Sequence, residues 1–171
     1  YLFSVICHNL LSLYKVIKLN LMKNKRERDY MKYWRVIRYF VKRKYKLNTQ
    51  ELDMLFFLYS EEYFNVDKFK EFNALLGWNR NRFEKLRREG WIDVIKPYKF
   101  GGPKALYGIS FKCAKMLDSV YDKLEGGPIP MAKSKNPIFL AKAGYSDKVY
   151  RKTIEKMNEA IRQEQCHSLE L

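Results

Sequence analysis

Residues that carry catalytic or metal chemistry are scarce in this sequence. Its three cysteines, Cys7, Cys113 and Cys166, lie far apart and form no CxxC pair, which argues against a zinc ligand set or a disulfide framework and suits a reducing interior. The two histidines, His8 and His167, sit near opposite ends. Nothing between them forms a Cys/His or Ser/His/Asp constellation, so no enzyme, no catalytic residue, no metal and no cofactor is expected. Glu84, Glu89 and Asp93 read as salt-bridge or solubility residues rather than paired catalytic carboxylates. No internal repeat is evident.

A clean membrane span is missing as well. The apolar opening YLFSVICHNLLSLYKVIKLNL is interrupted by His8, Asn9, Lys15 and Lys18, and it lacks the charged start and small-residue cleavage site of a signal peptide. Met22, followed by the polar KNKRERD, suits a native start, so residues 1–21 read as upstream or flanking sequence. Residues 1–28 are expected as an N-terminal extension, outside the native protein or poorly ordered.

Negative charge is the other shortage: 19 Asp and Glu face 34 Lys and Arg, for a formal net charge of +15 over 171 residues. That excess favours a polyanionic partner, nucleic acid first and an anionic membrane surface second. With 47% hydrophobic and 16% aromatic residues the chain can bury one core, which argues against disorder. The charge is also uneven. Residues 47–78 hold six acids and two bases, so the cations lie before and after an acidic stretch.

Periodicity predicts the elements. From Asp29 to Tyr45, Tyr30, Tyr33, Trp34, Ile37, Phe40, Val41 and Tyr45 recur at helical spacing among Lys and Arg, a basic amphipathic helix. Asn48 or Thr49 caps a second helix with Leu52, Leu55, Phe56 and Tyr59 on one face, and Asn65 caps a third, VDKFKEFNALL, that Gly77 ends. NRNRFEKLRREGW, residues 79–91, packs five cations into ten residues before stopping on Gly90. On a helix only Phe83 and Leu86 of that stretch are firmly apolar, a narrow buried stripe under a broad cationic face. WIDVIKPYKFGGPKALYGIS reads as a β-hairpin with a basic tip. Ser110 caps a further helix, which EGGPIP terminates. Residues 126–145 have the composition of a linker. Ser146 opens a last helix over 146–171 whose Tyr150, Ile154, Met157 and Ile161 form a narrow seam for dimerisation or docking.

The order of short helix, turn, cationic helix and hairpin resembles the winged helix-turn-helix family, in particular the MarR-like transcriptional regulators. The carrying residues are ELDMLFFLYS, FNALLGW, FEKLRREGWIDVI, ALYGIS and FKCAKMLDSVYDKL. Leu86, Gly90, Trp91 and Ile92 match the way that family ends its recognition helix. The resemblance covers about residues 30–125, with 29–125 expected as the winged-helix domain: a mainly α fold with a small β-hairpin wing and flanking N- and C-terminal helices. Two departures are visible. Asn79 and Arg82 stand where the family tends to place apolar residues, and the wing reads KPYKFGGPK without the family's acidic-arginine pair.

The resemblance implies sequence-specific binding of double-stranded DNA by a cytoplasmic, nucleoid-associated regulator. Arg80, Asn81 and Lys85 are then candidates for base edges, because Arg and Asn offer bidentate bonds to guanine and adenine. Arg82, Arg88, Lys96, Lys99 and Lys104 are candidates for phosphates, and Tyr98 and Phe100 for sugar or minor-groove contact. A homodimer is expected through the flanking helices, with Trp34, Ile37, Tyr150, Ile154, Met157 and Ile161 at the interface. Trp78, Trp91 and Cys113 read as core residues. The rival readings are a protein-interaction or structural module in a nucleoprotein or viral assembly, and a membrane-surface protein anchored through residues 1–45.

Overall fold

The computed structural model describes residues 30–76 and 80–169. The expected extension over residues 1–28, the helix turn at 77–79 with Trp78 and Asn79, and Cys7 and His8 lie outside the described residues. Residues from Tyr33 onward form one unit.

Helix α1 spans Tyr30–Tyr45. It buries Val36, Ile37, Phe40 and Val41, a stripe on one side as the periodicity requires, and carries Lys42, Arg43 and Lys44 in its last turn, where the helix dipole favours cations. Lys46 follows in a left-handed conformation at φ 57. Helix α2, Thr49–Tyr59, opens with a capping box: the Glu51 amide donates to Asn48 Oδ1 and the Asn48 amide donates to Glu51 Oε2, both at 2.8 Å. Helix α3 is Val66–Leu76 and helix α4 is Arg80–Arg88.

Gly90 stops α4 at φ 73. The Trp91 amide reaches back to the Leu86 carbonyl at 2.9 Å and the Gly90 amide to Arg87 at 3.1 Å, the paired bonds of a Schellman ending. This turns the chain into strand β1, Ile92–Lys96, which pairs antiparallel with β2, Leu106–Ile109, with an irregularity between Val94 and Lys96. Phe64, between α2 and α3, adds an isolated antiparallel bridge to Tyr107 on the other edge of β2. Ser110 caps helix α5, Phe111–Leu124, with its hydroxyl, and the same hydroxyl donates to the Gly90 carbonyl at 2.8 Å. The order α2, α3, α4, β1, β2 is that of a winged helix-turn-helix, mostly helical with a two-stranded hairpin.

Two expectations are corrected here. Residues 126–145 are not a free linker. Ile129 and Ile138 are fully buried, a short 3-10 helix forms at Pro137–Phe139, and Asn158 clamps the Ile129 backbone by accepting from its amide at 3.0 Å and donating to its carbonyl at 2.8 Å. Asn136 donates to the Pro130 carbonyl at 2.8 Å, and Arg151 Nε to the Ile138 carbonyl at 2.7 Å. The chain satisfies its own irregular backbone, so the segment packs.

Helix α6, Tyr145–Leu169, supplies the second correction. Its seam residues Ile154, Met157 and Ile161, and Ile37 of α1, are buried within the same chain. Tyr150 stacks on Tyr39 with centroids 3.8 Å apart, and Trp34 meets Phe56 edge-on at 5.7 Å. Of the six residues expected at a dimer interface, Ile37, Ile154, Met157 and Ile161 are buried in the chain's own core, and Trp34 and Tyr150 are half-buried against it. Buried Asp147 ties α6 to α1. It accepts from Tyr39 Oη at 2.7 Å and from Arg43 at 3.1 and 2.8 Å. Burial raises its carboxyl pKa, but the Tyr39 hydroxyl and the Arg43 guanidinium outweigh that and hold it below the ordinary carboxylate range. Burial, and then donation to Asp147, push the Tyr39 hydroxyl up to about 12.

Candidate nucleic-acid interface

Phe83 and Leu86 are the buried residues of helix α4. Phe83 meets Tyr107 of β2 edge-on, centroids 4.9 Å apart, so the wing lies against that side. Arg80 is three residues before Phe83 and Arg87 four after it, which places both on the wing-side flank at about 100° per residue. On the opposite flank Lys85 reaches buried Glu51 of α2 at 2.7 Å and Glu89 at 3.8 Å. Between the flanks lie Asn81, Glu84 and Arg88, the direction farthest from the core.

The candidate cations differ in what already holds them. Arg80 and Asn81 are exposed, and Arg80 forms no ion pair with a described residue. Arg88 is exposed and meets only the carbonyl of Glu84, at 3.4 Å. Arg82 is half-buried. In the wing, Lys96 and Lys99 are exposed and form no ion pair with a described residue, whereas Lys104 is paired with Asp67 of α3 and lowers that carboxyl's pKa. Tyr98 is 60% exposed and Phe100 fully exposed, so neither joins the core.

Lys85 does not fit the role of a base reader. Its bond to Glu51 raises the ammonium's pKa and draws the side chain toward α2. Arg87, absent from the sequence candidates, is exposed on the wing-side flank and paired with Glu84 at 2.7 Å. The capping box at Asn48 and Glu51 is legible in the sequence. That the same carboxylate also holds Lys85, 34 positions away, has no local signal. Trp91 and Cys113 are buried as expected. Trp91 Nε1 donates to Glu89 at 3.2 Å, and Lys112 sits 4.0 Å above its ring.

Among the described residues no cluster of His, Cys, Asp and Glu could hold a metal ion, and no described helix is long and apolar enough to cross a membrane. No family model matches the chain, and no curated protein matches it. One solved structure, described as "Structure of reduced AbfR bound to DNA", is similar over 89% of this chain and 98% of its own, with 10% identity and a TM-score of 0.40.

Proposed function

We propose that the chain binds double-stranded DNA through the outer face of α4 and the adjoining wing, as a cytoplasmic, nucleoid-associated transcription regulator of the MarR-like kind. One observation carries this reading: Arg80, Asn81, Arg88, Lys96 and Lys99 are exposed, and none of these four cations is paired to a carboxylate of a described residue, on two elements joined by the Phe83 to Tyr107 contact. A solvated helix stabilised by its own charges would pair those cations internally. A surface meant for phosphates leaves them available.

In this reading Arg80 and Asn81 face base edges, Arg88, Lys96 and Lys99 take phosphates, and Arg87 joins them by exchanging Glu84 for a phosphate. Lys85 orients the helix. Tyr98 and Phe100 lie against sugar or in a minor groove. A single copy presents one helix and one wing. A homodimer reading an inverted repeat needs surface other than the seam residues buried in the chain.

The test is charge reversal at Arg80 and Arg88 together in the full chain. Both are exposed, so the thermal midpoint stays within a degree or two, while binding to a mixed-sequence duplex is lost in a fluorescence anisotropy titration. Retained binding overturns the reading. The exposed apolar wing residues Val94, Ile95 and Phe100 favour one rival, a protein-interaction or structural module in a nucleoprotein or viral assembly. A variant with Phe100→Ser that keeps duplex affinity but loses a stable protein partner would establish it.

A further inference from the structure

A cavity of about 440 Å³ opens where the end of α1, the start of α2 and the flank of α4 away from the wing converge. Four cations line it, Lys42, Arg43, Lys46 and Lys85, against the single carboxylate of Glu51. Two of the four are neutralised: Arg43 by Asp147 behind it, and Lys85 by Glu51. Lys42 and Lys46 form no ion pair with a described residue, although Asp53 exerts a longer-range pull on Lys42. Lys42 donates one of its three protons to Thr49 Oγ1 at 2.7 Å, which leaves the other two for a further acceptor.

Two ammonium groups on one concavity can donate to a tetrahedral oxyanion, with lysine acting as a strongly hydrated point charge. The position of the cavity adds to this. Lys85 belongs both to its lining and to the flank of α4 opposite the wing. A groove that accepts α4 has two phosphate walls, roughly 12 Å apart in a major groove. With the wing lysines toward one wall, the cavity, on the opposite flank of α4, would lie toward the other.

We propose that this cavity is a phosphate-binding site, with Lys42 and Lys46 as the charged ligands. It rests on the DNA reading in its first arm only. The phosphate can come from the backbone of a bound duplex or from free phosphate.

The experiment compares wild type with the Lys42→Gln, Lys46→Gln double variant in the full chain. Lys46→Gly serves as a second variant, because glycine accepts the backbone at φ 57. In the first arm the salt dependence of duplex binding is measured, and loss of two phosphate contacts should flatten the slope of log affinity against log salt by about 1.8. In the second arm inorganic phosphate is titrated at constant ionic strength, with the amide resonances of residues 42–51 as the readout. A flattened slope assigns the site to backbone phosphate. An unchanged slope, with saturable phosphate shifts that the double variant lacks, assigns it to free phosphate. An unchanged slope with no saturable shift overturns the site. If wild type binds no duplex at low salt, the DNA reading fails while the second arm still decides the cavity.

Discussion

Replacing Glu51 with alanine makes an already basic chain more basic by one charge, so electrostatics alone predicts tighter binding to DNA. The geometry predicts weaker binding. Glu51 is 1% exposed, and its two oxygens hold different elements: Oε2 accepts from the Asn48 amide at 2.8 Å and Oε1 from Lys85 of α4 at 2.7 Å. Loss of the reciprocal capping bond costs about 1 kcal/mol. The Lys85 side chain is 41% exposed, so solvent screening limits its pairing to about 1 kcal/mol. With the lost packing of the buried stem, Glu51→Ala should cost about 2 to 3 kcal/mol, or roughly 4 to 12 °C in thermal midpoint for a chain of this length. Lys85→Met leaves the carboxylate buried without its cation and should cost about 1 to 2 kcal/mol. A double-mutant cycle in urea should return a coupling of about 1 kcal/mol. Both single variants should bind a duplex less tightly than wild type, because α4 loses its orientation. Tighter binding by Glu51→Ala, or a coupling below about 0.3 kcal/mol, would refute an orienting role for the pair.

The clamp on the segment after α5 gives a second expectation. Asn158→Leu strips both partners from the buried backbone of Ile129 and should destabilise the chain by about 2 to 4 kcal/mol in guanidinium unfolding, whereas a loss under 1 kcal/mol would make that segment detachable. Asp147 sets an acid limit. Its folded pKa is depressed, so its contribution is present above the unfolded value near 4 and is lost as pH falls through the folded one; near-ultraviolet circular dichroism of Asp147→Asn should show less of that acid transition than wild type. Tyr39 acts at the other end. With its pKa raised to about 12, its contribution is present below about 10 and is lost as pH rises through 12, and Tyr39→Phe should remove a phenolate that appears only near pH 12 in an alkaline absorbance titration. Burial pushes the Cys113 thiol up to about 12, so at pH 8 a thiol reagent should label exposed Cys166 and leave Cys113 unmodified by peptide mapping.

The winged core was legible because its signals are local. Asn48 with Glu51, Asn65, Gly90 and Ser110 each fix one helix end through atoms a few residues away, and the two apolar runs on either side of the Pro- and Gly-bearing PYKFGGPK define a hairpin. The illegible parts depend on partners far along the chain. Residues 126–145 have a linker's composition, yet two isolated isoleucines fill the core and side chains of Asn136, Arg151 and Asn158 satisfy their backbone. No periodicity announces such bonds. The seam of α6 was readable as a seam, but its partner was not: Tyr39 of α1 stacks on Tyr150 and donates to Asp147, 108 positions away. At the candidate interface the sequence located the cations and could not separate those held by carboxylates, Lys85 and Lys104, from those left available.

The claim that α4 and the wing form one polyanion-binding face is tested most directly by the salt dependence of duplex affinity. Phosphate contacts from Arg87, Arg88, Lys96 and Lys99 predict a slope of log affinity against log salt of about −3.6, at 0.9 per contact. Substituting Lys96 and Lys99 with glutamine should flatten it by about 1.8. A wild-type slope flatter than about −1, or one that the wing variant leaves unchanged, would contradict it.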